Sequence, residues 1–223
     1  MKWIEKEGQE FIRDKERIRV SGLNWRYHKP LIKKKLQEIV DKAKINGIEL
    51  DLIDYADAPI GYGFDGINLE FGTIPTGNII ITKGENSKRY AKHMQKGATL
   101  EITYSAFGMV MISMSPSKSE DSLVSNNPII LYQTYDAGEL TDKIIERFGR
   151  TLFRFHRKTG VLHRTTFKDK WVVRWLRIRM FFSEYETSAQ KLKKYSGLNF
   201  PVWALLIAVL TLIVTYLASN FNH

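Results

Sequence analysis

Two periodicities divide the chain. In the charged N-terminal stretch Ile4, Phe11 and Ile18 stand seven apart, which predicts a helix over 1–19 that needs something to pack against. Lys29 to Asn46 predicts a second helix: Pro30 suits its first turn, Ile32, Leu36, Ile39, Val40 and Ala43 form one face, and Gly47 ends it. The pattern then changes to strands. Ile48 to Asp54 alternates, Ile67 to Phe71 is short, and Asn78 to Thr82 holds three consecutive Ile. Thr99 to Tyr104 and Met109 to Met114 flank a turn at Ala106-Phe107-Gly108, and Pro128 to Thr134 adds a further strand. The loop from Ser113 to Asn127 is polar.

Helical spacing returns at Leu140, Ile144, Phe148, Leu152 and Phe155, with Asp136 or Thr141 as N-cap and Gly160 as stop. The same helix carries a second stripe of Lys143, Arg147, Arg150, Arg154 and Arg157. A further helix is expected near Lys168, with Trp171, Trp175, Ile178, Phe182 and Tyr185 on one line and Lys170, Arg174 and Arg177 on another. Core packing offers a ready account of Trp171 and Trp175, as of Phe153 and His156. From Phe200 to Ala218 the chain reads FPVWALLIAVLTLIVTYLA, 19 residues without a charge, which predicts a transmembrane helix with Trp203 and Tyr216 at headgroup depth. The expected fold class is therefore α+β: N-terminal helices plus a mostly antiparallel sheet, then a basic helical segment and one C-terminal transmembrane helix. The expected domains are a cytoplasmic α+β domain over 1–135, an Arg/Lys-rich helical juxtamembrane segment over 136–198 and the transmembrane helix over 199–219.

Charge sharpens this division. The 223 residues carry a formal net charge of +10, yet residues 1–146 hold 20 Lys/Arg against 21 Asp/Glu, whereas residues 147–194 hold 14 against 3. Lys191, Lys193 and Lys194 precede the apolar stretch, and the first twenty residues offer no signal peptide. The positive-inside bias then predicts a tail-anchored, single-pass protein of the cell inner membrane with its N-terminal domain cytoplasmic. Along the stretch, Ala204, Ala208, Thr211, Thr215 and Ser219 recur on one helix face. Their hydroxyls can bond back to their own helix, their small size permits close helix packing, or several copies can line a pore.

The Arg stripe also has three readings: a solvated face with intramolecular pairs, a surface lying on anionic lipid, or a polyanion site. Guanidinium binds phosphate in a bidentate fork, so the third reading assigns ligand binding to Arg147, Arg150, Arg154, Arg157, Arg174 and Arg177. Phe153, His156, Trp171 and Trp175 offer rings for stacking on bases.

Candidate catalysis is sparse. The absence of cysteine excludes disulfides, thiolate zinc sites, iron–sulfur clusters and Cys nucleophiles. Gly61, Gly63 and Gly66 spell G-x-G-x-x-G, but a strand follows instead of a helix, so the motif reads as a flexible loop. Asp51, Asp54, Asp57 and Asp65 could supply oxygen ligands, yet Asp51 and Asp54 face opposite ways on a strand. His156 and Lys158 match the start of a phosphodiesterase H-x-K motif, but His163 stands where an Asp belongs. These readings predict a non-enzyme with no catalytic residue, metal or cofactor.

A sensing domain joined by a charged helix to a self-associating span resembles the layout of small bacterial membrane effectors of phage defence. That resemblance, which concerns arrangement and no motif, implies a homo-oligomeric membrane effector with antiviral defence as its role. It would form a pore under control of a cytosolic nucleotide, oligonucleotide or other phosphorylated ligand. The alternative is a passive tail-anchored adaptor that recruits a cytosolic protein partner to the lipid bilayer.

Overall fold

A single helix of 44 residues, α1 (Lys2–Ile45), replaces the two helices that the sequence predicts. Pro30 lies inside it, where the ring removes one backbone donor and crowds the carbonyl four residues earlier. Fixed side chains on either side hold the helix through that position. Trp25 and Lys29 are tied to Asp65 and Ile32 is buried, so the turn before Pro30 and the turn after it are both anchored. Residues 1–17 are exposed on every side, and burial begins near Ser21.

The structure, a computed structural model, describes residues 1–55, 65–83, 88–122, 126–181, 207–208 and 210–212. The chain divides into two compact units, Met1–Met180 and Phe181–His223. Within the first unit, β1 (Leu50–Asp54), β2 (Asp65–Phe71), β5 (Thr99–Tyr104), β6 (Val110–Ser115) and β8 (Ile129–Thr134) form a sheet in the order β1-β2-β5-β6-β8. Every pair in it is antiparallel. The register aligns Leu52, Leu69, Leu100, Met114 and Ile129 in one row across the sheet. This face receives Trp25, Ile32, Leu36 and Val40 of α1 and Ile145, Phe148, Leu152 and Phe155 of α2 (Asp142–Thr159). The opposite face is polar: Glu101 accepts from Ser113 and Ser115, and Asn68 donates to Tyr55. Alternation along each strand produces this two-sided sheet.

A second sheet consists of β3 (Thr73–Lys83), β4 (Lys88–Lys96) and β7 (Lys118–Ser119). Of this sheet the sequence predicts only the segment Asn78–Thr82; β3 is longer, and the unexpected β4, which carries few apolar residues, is recruited by backbone pairing with β3. Ile79, Ile80, Ile81 and Tyr90 remain exposed on it. The expected turn at Ala106-Phe107-Gly108 is present, with Gly108 at φ 78°. Its carbonyl accepts from the Ser21 hydroxyl and so fastens the turn to α1.

The C-terminal transmembrane helix of the expected fold is a correction: among the described residues no helix is long and apolar enough to cross a membrane. Helix α1 has the length but carries charge on all sides, while α2 and α3 (Phe167–Phe181) are short and rich in Arg. Of the expected span, Ile207, Ala208, Leu210, Thr211 and Leu212 are described, as helix. Thr211 Oγ1 donates to the Ile207 carbonyl at 2.8 Å, the backward bond available to any helical Thr. Ala204, Thr215 and Ser219 lie outside the described residues. The chain is α+β with antiparallel sheets.

Candidate anion-binding groove

Helix α2 starts after Thr141, in extended conformation at the N-cap, and stops at Gly160. Asp136 caps the preceding 3-10 turn by accepting from the Gly138 N–H at 2.8 Å. With Ile145, Phe148, Leu152 and Phe155 buried against the sheet, the Arg stripe rotates toward α1 and solvent. Between α1 and α2 lies an open groove of about 390 Å³, lined by Ile39, Glu146, Gly149, Arg150, Phe153, Arg154 and Arg157. Gly149 helps to shape it, because a Cβ there would stand 2.9 Å from Ile39 Cδ1. The absent side chain lets α1 and α2 approach each other.

The three groove arginines differ in how they are held. Arg157 donates to Asp169 of α3 from Nε at 3.0 Å and from Nη2 at 2.7 Å. That fork raises the Arg157 pKa, and with the Thr166 bonds it holds the buried Asp169 carboxyl well below the usual carboxylate range. Thr166 and Asp169 form a capping box: Asp169 accepts from the Thr166 N–H, and the Asp169 N–H donates to Thr166 Oγ1. Arg150 donates to Glu146 at 3.1 Å in an exposed pair one helical turn apart, a contact of little energetic weight. Arg154 is half-buried, and no side-chain partner occupies its guanidinium among the described residues.

Aromatic rings complete the wall. Phe153 meets Phe71 edge to face at 5.1 Å. Beneath it His156 is a core residue, not a stacking platform for a ligand: it stacks on Phe71 at 3.9 Å and its Nδ1 accepts from the Ala98 N–H and the Ser117 hydroxyl. Burial, followed by the neighbouring His163 and Arg157, pushes its pKa down to about 4. His156 is therefore neutral at ordinary pH, with the proton on Nε2, and adds no charge to the groove.

The remaining sequence-derived sites fall elsewhere. Arg147 lies over the Phe148 ring, at 5.5 Å, and does not line the groove. Arg174 is exposed on α3, and Arg177 donates to Asn126 at 2.6 Å. Asp54 and Asp65 converge on Lys29 Nζ, each at 2.6 Å, while Trp25 Nε1 donates to Asp65 and Lys33 to Asp54. Burial lowers the Lys29 pKa, but the hydrogen bonds to Asp54 and Asp65 outweigh it and hold the group above its ordinary value. The cation between these carboxylates is thus an ammonium. Asp51 is exposed on the other face of β1, and Asp57 lies outside the described residues. Gly61 and Gly63 also lie outside them. Gly66, expected in a loop, sits in β2, where a Cβ would stand 2.9 Å from the Ile102 carbonyl oxygen.

Asp169 is the residue that sequence reasoning missed, although Thr166-x-x-Asp169 is legible as a helix start. A second open groove, about 520 Å³, was not legible, since Arg17, Asn24, Gln133, Tyr135 and Glu139 come from distant parts of the chain. Arg17 lies over the Tyr135 ring there, at 4.2 Å. Comparison of the chain with protein-family models, curated proteins and solved structures finds no significant match.

Proposed function

We propose that the protein is a non-catalytic binding protein that recognises a phosphate-bearing polyanion, a nucleotide or oligonucleotide, in the groove between α1 and α2. The observation that carries this reading is the convergence of Arg150, Arg154 and Arg157 with Phe153 on one concavity. Arg157 is oriented by Asp169, Arg150 is held only by an exposed pair, and Arg154 is unoccupied among the described residues. Such a set matches a phosphate, which accepts from a guanidinium fork, beside a ring on which a base can stack. Glu146 pairs with Arg150 at the rim, so an anion must compete with that carboxylate for the Arg150 guanidinium.

Fluorescence polarisation of a labelled single-stranded oligonucleotide against the full chain tests this reading. Arg154→Glu should weaken binding roughly tenfold or more and reduce the salt slope by about 1. Arg174→Glu, outside the groove, should alter the affinity little. Equal effects of the two substitutions, or no binding by the parent chain, would refute the groove assignment.

A further inference from the structure

Helix α3 has two apolar faces, and the larger one points away from the domain. Asp169, Val173 and Met180 are buried, and Leu176 packs beside them. On the opposite side Phe167 is 77% exposed, Trp171 60%, Trp175 57% and Ile178 43%. Their spacing of four, four and three places all four side chains on one stripe of the helix. The core expectation for Trp171 and Trp175 is thereby reversed.

Polar flanks identify what this stripe can meet. Lys170 and Arg174 border one side of it and Lys168 and Arg179 the other, all exposed. The one carboxylate of α3, Asp169, is turned inward and neutralised by Arg157, so the outward face carries no negative charge. A protein partner or a nucleic acid would also accept aromatic contacts. A continuous aromatic and aliphatic stripe between two rows of cations, however, matches the layering of an anionic bilayer, apolar below and phosphate at the rim. Indole rings prefer that depth, and Lys and Arg stems can lie along the apolar surface while their charges reach the headgroups.

We infer that α3 is an interfacial helix, lying flat on an anionic membrane with Phe167, Trp171, Trp175 and Ile178 inserted and Lys168, Lys170, Arg174 and Arg179 on lipid phosphates. This surface is separate from the groove and requires no membrane-crossing helix. Co-sedimentation of the full chain with phosphatidylcholine vesicles, with and without phosphatidylglycerol, tests it. Binding should require the anionic lipid. It should fall roughly tenfold or more in Trp171→Ala/Trp175→Ala and in Lys170→Glu/Arg174→Glu, with the circular-dichroism melt unchanged. Brominated lipid should quench tryptophan fluorescence in the parent and much less in the double Trp variant. The inference fails if the chain stays in the supernatant, if neutral vesicles bind it equally, or if the double Trp variant binds as the parent does. It also fails if that variant loses oligonucleotide affinity but keeps vesicle affinity, which would make the stripe a nucleic-acid surface.

Discussion

The clasp between Arg157 and Asp169 yields the sharpest energetic prediction. The Asp169 side chain is 1% exposed and accepts two hydrogen bonds from Arg157 and one from the Thr166 N–H. Removing one partner of a buried ion pair costs about 3–5 kcal/mol, because the other charge remains without compensation. Here the stranded group in Asp169→Ala is Arg157, whose side chain is 37% exposed and can be partly solvated, which favours the lower end of that range. Loss of the N-terminal box of α3 adds about 1 kcal/mol. The expected destabilisation is therefore about 3–4 kcal/mol, a large share of a typical domain's stability. In Arg157→Ala the stranded group is the buried carboxylate, so the loss should be at least as great and should shrink as acid protonates Asp169. Asp169→Asn keeps an acceptor for Thr166 and should fall between parent and Asp169→Ala. Urea denaturation at neutral pH, read as a shift in midpoint at constant slope, measures all three. A loss below about 1 kcal/mol in Asp169→Ala would refute the reasoning, since exposed pairs of that size contribute no more.

Two further predictions concern the core beneath the groove. His156, with its pKa lowered to about 4, should be neutral in the folded chain and protonated in the unfolded chain between that value and its ordinary 6.5. Its contribution is thus complete above about pH 6.5 and is lost as pH falls toward 4, by about 3 kcal/mol. The stability gap between the parent and His156→Gln should narrow by that amount between pH 7 and 4, and a gap independent of pH would disprove the buried neutral state. At Gly97 a Cβ would stand 2.3 Å from Phe71 Cβ and 2.5 Å from its carbonyl oxygen, whereas at Gly8 nothing lies within 4 Å. Gly97→Ala should cost about 2 kcal/mol or more by overpacking, and Gly8→Ala should stabilise α1 slightly, by about 0.5–1 kcal/mol, in thermal melts. Equal melts for the two variants would contradict the close approach at Gly97.

The parts of the fold legible in the sequence are those whose pattern had one solution. Helix α2 combined an apolar stripe, a candidate N-cap at Thr141 and a glycine stop, and the five strands of the larger sheet lie close to the segments expected to form them. The failures share a different cause. Pro30 suits a first turn, yet the local rule yielded to anchors on either side of it, Trp25 and Lys29 on Asp65 and Ile32 in the core. Strand β4 has almost no apolar signature because its pairing with β3 supplies the order. In α3 periodicity marked the Trp stripe as the buried face, since large rings usually pack inward. The buried face instead contains a carboxylate, which no hydrophobic pattern selects. Only the partner on α2 makes that burial tolerable, and partners are not visible in periodicity.

The Arg157–Asp169 contact joins the groove to the orientation of α3. Without Arg157, the inward orientation of α3 would leave the Asp169 carboxylate buried and uncompensated. With Arg157 in place, burying the carboxylate satisfies three hydrogen bonds, and the helix settles with Val173 and Met180 inward and the rings outward. The same contact fixes a guanidinium that lines the groove. Net charge alone therefore misjudges the Arg stripe, because its members are not equivalent. Arg157 is clasped by Asp169, Arg150 is held loosely by Glu146, and Arg154 has no side-chain partner among the described residues. The distribution of partners, more than the number of positive charges, separates a structural arginine from one available for recognition.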